Sequence, residues 1–450
     1  MIELLIGTLV TLAVGRYIFK GYSATGVLLS GGLLLLAITA LMGKAVLPAS
    51  VPSTGHMATD IFEYVRFLLV DRGGGLGMLI MVLCGFAGYM SHIGANTILV
   101  KLASKPLGVI KSPYILLVAA YLVACAMSLA VSSATGLGVL LMATLFPLMV
   151  NMGISRGAAA AVCASPAAII LSPTSGDVVM AAQAANMELI EFAFKLTLPI
   201  SLVAIAAMAV THFFWQRYLD QKAGEHNAAV APSDLVTDAP GFYAILPFTP
   251  IIGVLLFDGK LGPKLDIVTI IVICLVLAAL LELVRKRNGR ELLDGLQVCW
   301  RNMADAFAGV VMLLVGAGVF AQGLMGLGFI ANLLDLAQSF GTGGIVIMLV
   351  LVVITTLAAF TTGSGNAPFY AFVELIPHLA TSLGVNPAYL VIPMLQASNL
   401  GRTISPVSGV VVACAGMGNL SPFEVVKRTS MPVAVGLLVV ILATQILVPA

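Results

Sequence analysis

Two stretches of this chain are copies of one another. Residues 164–199 and 397–432 align without a gap at an offset of 233 residues, and 12 of the 36 positions are identical. The shared residues are Ala164, Ser165, Ser172, Pro173, Ser175, Gly176, Val178, Val179, Ala182, Asn186, Glu191 and Pro199 with their counterparts. Each copy places a Ser-Pro-x-Ser-Gly break, at 172–176 and at 405–409, inside an apolar run. Proline has no N–H to continue a helix, and glycine tolerates non-helical dihedrals, so each break should stop a helix part-way. Backbone groups freed at membrane depth survive only where protein or a water-filled cavity satisfies them. Interrupted helices in corresponding positions of two halves are the best sequence pointer to a transporter binding site.

Composition makes the membrane setting firm. Of 450 residues, 60% are hydrophobic and 9% charged, and mean hydropathy is +1.09, whereas soluble domains carry roughly a quarter charged residues. The apolar runs are continuous rather than alternating, which selects spanning helices over a β-barrel. A net charge of +2 points to no nucleic-acid partner. The six cysteines lie in or beside apolar runs and read as small packing residues, not as a disulfide framework. The N-terminal run lacks a small-residue cleavage site and is expected to stay as the first membrane helix.

The fold class expected is an all-α polytopic membrane protein with an inverted-topology repeat. Residues 1–75 are expected to form N-terminal scaffold helices, with an interfacial helix at 58–70. Repeat 1 covers 76–215, where 113–152 is either a long broken helix or a re-entrant hairpin, the reading taken below, and 157–187 is a broken helix. A hydrophilic inter-repeat loop follows at 216–242, then connecting scaffold helices at 243–302. Repeat 2 covers 303–450, with a hairpin at 343–383 and a broken helix at 388–419. Placing the basic stretch 284–302 in the cytoplasm and counting helices outward puts fifteen Lys and Arg inside and six outside, and leaves Arg402 within the membrane. The two broken helices then run in opposite directions, as in many secondary transporters.

A carrier must replace the water shell of its solute with fixed dipoles and then let go. Half-helix N-termini offer free N–H groups and partial positive charge to an anion, and short hydroxyl and amide side chains complete the shell. The candidate substrate-binding residues are Ser132, Ser133, Thr135 and Gly136; Ser172, Thr174, Ser175 and Gly176; Thr361, Thr362, Ser364, Gly365 and Asn366; Ser398 and Asn399; and Ser405, Ser408 and Gly409. A single Ser or Thr in a membrane helix is more often a packing residue, but four clusters in two symmetric pairs favour a site. Arg402 could pair with a substrate carboxylate through its planar fork. Asp177 is the ion-coupling candidate, and a structural Asp–Arg or Asp–backbone pairing is the competing reading. No catalytic residue, metal cluster, phosphate-binding loop or haem motif is evident, so cofactors are expected to be none beyond a coupling H⁺ or Na⁺.

The runs GYSATGVL (21–28), SLAVSSATGLGVLLMATLFP (128–147), SRGAAAA (155–161), TTGSGNAPFYAFVE (361–374) and QASNLGRTISPVSGVVVA (396–413) give the chain its resemblance to the DcuC family of anaerobic C4-dicarboxylate carriers. The resemblance implies a multi-pass protein of the bacterial inner membrane, not an enzyme, that exports succinate or exchanges it for fumarate or malate. It also implies a homodimer and an elevator-type movement, with hairpin tips at 132–136 and 361–366. Sodium-using members of the wider superfamily often carry a Ser-Asn-Thr tip. Both tips here depart from it, which leaves proton coupling or plain antiport open. The residues alone leave room for a carrier of another small organic anion, such as a monocarboxylate or amino acid, for an anion channel, or for a membrane-embedded enzyme.

Overall fold

The computed structural model describes residues 2–20, 22–48, 50–173, 175–223, 237–257, 262–329 and 343–448. Thr174, Lys260 and residues 224–236 of the expected inter-repeat loop lie outside them. The described residues form helices and connecting turns, with no strand among them. Among the described residues, seven helices are long and apolar enough to cross a membrane, or eight if one bent pair counts as a span. The protein is a multi-pass helical membrane protein.

The first part comprises α1 (Ile2–Phe19), α2 (Ala24–Leu41), α3 (Met57–Gly74), α4 (Leu76–His92) and α5 (Ala95–Ser104). The expected interfacial helix is α3, which meets α4 at a bend of 43°. The apolar run at 76–100, which reads as one span, is divided, because Gly94 takes φ +77° and stops α4 before α5 begins. The first candidate hairpin consists of α6 (Pro113–Met127) and α7 (Ala134–Asn151), and the first broken helix of α8 (Arg156–Ala164) and α9 (Gly176–Ala184). A π-helical turn, Glu191–Thr197, leads into α10 (Leu198–Ala223). Arg217 and Lys222, expected in the loop, therefore lie on a helix.

Next come α11 (Thr249–Leu256), α12 (Ile267–Lys286), α13 (Gly289–Ala306) and α14 (Met312–Leu327). A π-helical turn, Phe307–Val311, joins α13 to α14, so the apolar run at 304–325, which reads as a span of its own, is the end of a 39-residue rod. The second candidate hairpin is α15 (Gly343–Thr362), α16 (Asn366–Val373) and α17 (Ile376–Leu383). Its return arm breaks at Glu374, ahead of Pro377. The second broken helix is α18 (Pro387–Thr403) and α19 (Gly409–Gly418), followed by α20 (Pro422–Leu447).

The duplication is visible in the backbone. Helices α9 and α19 start at matched positions, with Ser175 and Ser408 as N-caps at φ/ψ of −74°/137° and −67°/135°. Their matched Asn186 and Asn419 are both left-handed, at φ 54° and 49°, a conformation asparagine tolerates better than other non-glycine residues. Close packing holds the frame. A Cβ on Gly32 of α2 would sit 2.5 Å from the Phe320 N of α14, so glycine is needed for that approach. Pro432 cannot bond the Arg428 carbonyl one turn back, and Gln216 Nε2 donates to that carbonyl instead at 2.8 Å.

Candidate functional site

The backbone between α8 and α9 leaves the helix at Ile169, which is extended at φ −111°, ψ 120°. Side chains of α18 satisfy the groups this frees. Ile170 N donates to Gln396 Oε1 at 2.9 Å, Gln396 Nε2 donates to Ile170 O at 3.2 Å, and Arg402 Nη2 donates to Ala167 O at 3.0 Å. Both breaks share one turn, Ser175 N donating to Ser172 O and Ser408 N to Ser405 O; the second break differs just before it, where Ser405 N donates to Arg402 O of its own chain. From outside, Thr429 Oγ1 donates to Thr403 O at 3.2 Å.

The tips of the two candidate hairpins and the breaks meet at two cavities, of about 880 and about 590 Å³. The larger is lined by Ser132, Ser133, Thr135, Gly136, Ser172, Ser175, Gly176, Asp177, Asn366 and Arg402. It also runs past Ser91, His92, Asn96 and Asn302, toward the end of the molecule where Lys101 lies on α5. The smaller is lined by Ser364, Gly365, Ser408 and Gly409, and shares Ser132, Ser133, Thr135, Asn366 and Arg402 with the larger. These fourteen predicted residues are brought together. Thr361, Thr362, Ser398, Asn399 and Ser405 line neither cavity. Thr361 and Thr362 bond back to carbonyls of their own helix, as do Ser398 and Asn399. Ser405 is fully buried. Thr174 lies outside the described residues.

The cavities collect positive ends. Helices α7, α9, α16 and α19 all begin at the cavity walls. The N-caps of α9 and α19, Ser175 and Ser408, make no side-chain cap bond. Their first-turn N–H groups are therefore not taken by a capping hydroxyl, which suits an anion. Arg402 adds a guanidinium whose buried Nε has no hydrogen-bond partner, and the buried Ser408 Oγ also has none. A Cβ on Gly365 would lie 2.6 Å from Asn399 Oδ1 and 3.3 Å from Arg402 Nη1, so the second tip rests directly on α18. The one carboxylate in the larger cavity, Asp177, is 3% exposed and accepts from Tyr370 Oη at 2.6 Å.

Sequence reasoning missed Tyr370 and Gln396, although both lie inside runs that carry the family resemblance. Nothing local marks them, because their partners are 193 and 226 residues away.

The profile of the family described as "C4-dicarboxylate anaerobic carrier" matches residues 2–449. The chain belongs to the DcuC family. The anaerobic C4-dicarboxylate transporter DcuC of Escherichia coli K12 is 70% identical over 448 residues, covering 100% of this chain and 97% of that protein. The probable anaerobic C4-dicarboxylate transporter DcuC of Vibrio cholerae is 62% identical, covering 100% and 98%. Two solved transporters share the fold. YdaH of Alcanivorax borkumensis gives a TM-score of 0.64 at 18% identity, over 94% of this chain and 97% of that one. MtrF of Neisseria gonorrhoeae gives 0.55 at 13% identity, over 94% of each. A member of the DcuC family is a transporter and not an enzyme, and its place is the inner membrane.

Proposed function

We propose that this chain is a secondary carrier of the C4-dicarboxylates succinate, fumarate and malate, working by succinate export or fumarate/succinate exchange. The observation that carries the reading is Arg402, which lines both cavities, has an unpartnered buried Nε, and is surrounded by helix N-termini. One substrate carboxylate pairs with Arg402 and the first-turn amides of α19. The hydroxyls of Ser132, Ser133 and Thr135 and the amide of Asn366 complete the shell. Asp177, held by Tyr370, takes the coupling ion, H⁺ or Na⁺. Hairpins and broken helices of the inverted repeat move together past a scaffold built on α1–α4 and α11–α14, through which two copies pair. With the basic end cytoplasmic, the larger cavity is the inward-open site.

The test is uptake of labelled succinate into proteoliposomes, preloaded with fumarate or empty, for the natural protein and Arg402→Ala. Uptake that requires internal fumarate and vanishes in the variant is the expected result. Uptake into empty vesicles under a proton or sodium gradient would replace exchange with symport and name the ion. No succinate movement under any gradient would sink the dicarboxylate assignment.

A further inference from the structure

We infer that Gln396 is a positioning residue for substrate binding: its amide holds the unwound backbone at Ile169 and Ile170 in place, so that the backbone of Leu171 faces the cavity as part of the binding surface. This rests on the carrier reading given above.

Gln396 is fully buried on α18 and spends both ends of its amide on one residue. Oε1 accepts from Ile170 N at 2.9 Å and Nε2 donates to Ile170 O at 3.2 Å. That is how one residue of an antiparallel strand binds its neighbour, exchanging both bonds on one side. Ser201 of α10 backs the arrangement. Its hydroxyl accepts from Gln396 Nε2 at 3.2 Å and donates to Ile170 O at 3.3 Å.

In extended backbone the N–H and C=O of successive residues point to opposite sides. With the Ile170 groups turned toward α18, those of Leu171 turn the other way, and Leu171 lines the larger cavity next to Ser172. The second break shows the alternative. Beyond the turn the two breaks share, its Ser405 N closes onto Arg402 O of its own chain, and the residue matching Gln396 at the 233-residue offset is Cys163, which cannot bridge an amide and a carbonyl. Without the bridge, the first break would have the same tight-turn route to satisfy itself, and the Leu171 groups would be lost to the substrate.

The test compares the natural protein with Gln396→Met, which keeps length and burial but removes the bridge. Hydrogen exchange of peptides covering residues 165–173 reports the Ile170 amide, and succinate counterflow reports KM and maximal rate. Gln396→Met is expected to exchange at least tenfold faster in that peptide alone. Its KM should rise at least tenfold, with a maximal rate within threefold. A purely structural role would lower the amount of folded protein without moving KM. Unchanged exchange and unchanged KM would overturn the inference. Should the variant fail to fold, Ser201→Ala decides, with a two- to fivefold rise in KM and faster exchange expected, and no change in either overturning it. If the natural protein carries no succinate, the carrier reading fails on its own, while the exchange measurement still decides whether Gln396 holds the segment.

Discussion

Arg72 and Glu374 lie 302 residues apart and meet where the bend between α3 and α4 touches the broken return arm of the second hairpin. Arg72 Nη2 donates to Glu374 Oε2 at 2.8 Å, with side-chain exposures of 23% and 14%. Under the proposed movement, α3 belongs to the scaffold and Glu374 to the moving part, so the pair belongs to this state and breaks in the opposite one. A hydrogen bond to a charged group is worth about 1.5–3 kcal/mol, and removing one partner of a fully buried pair costs about 3–5 kcal/mol. Partial exposure puts this pair near the lower figure, ~2 kcal/mol, which is about a 30-fold change in the ratio of two states. Glu374→Gln should therefore shift the protein about 30-fold away from the state open toward Lys101. The assay uses Ser132→Cys, an exposed tip position, in a Cys84→Ala background, since the other five cysteines are buried. A membrane-impermeant maleimide is applied from each side of oriented vesicles, and the ratio of labelling rates is read. The exchanged pair Arg72→Glu with Glu374→Arg should restore the original ratio. A ratio within twofold of the natural protein in Glu374→Gln would refute the latch.

Arg402→Gln retains a donor for Ala167 O but loses the charge, so KM for succinate in counterflow should rise roughly 10- to 150-fold, the equivalent of about 1.5–3 kcal/mol. A KM within threefold would remove Arg402 from the site. Tyr370→Phe takes away the 2.6 Å bond to Asp177, and a lower denaturation midpoint in detergent, by about 1–3 kcal/mol of stability, is expected. An unchanged midpoint would mean that Asp177 does not rely on it. Gly32→Val forces side-chain atoms into the backbone of α14, and a loss of about 1–3 kcal/mol is expected. Gly15→Ala, within α1 and with nothing within 4 Å of its added Cβ, is the control and should not lower the midpoint.

The parts of this fold that were legible in the sequence are those set by local chemistry. Pro and Gly in 172–176 and 405–409 announced both breaks, and α9 and α19 begin within them. The matched Asn186 and Asn419 proved to be matched left-handed caps. Arg402 and Asp177 drew notice as charges in apolar surroundings, and both reach the larger cavity. What stayed hidden depends on distant partners. Gln396 and Tyr370 look like ordinary helix residues until Ile170 and Asp177 arrive beside them. Glu374 likewise has no partner near it in sequence, and Arg72 reaches it from 302 residues away. The boundary expected at 302/303 is not a helix end, because polarity and helicity part company there: the charges of α13 set it off from the apolar run, yet the helix runs on through a π turn into α14.

The unequal treatment of the two breaks bears on ancestry. If a single ancestral half once paired with its own twin, both breaks must then have been satisfied in the same way. They no longer are. A chain assembled from two first halves would carry Cys163 and Ile169 where Gln396 and Arg402 now reach across, and the unwound stretch around Ile170 would lose the groups that hold it. The halves have become complementary rather than interchangeable, so dividing the gene between them should yield two fragments that work only when expressed together.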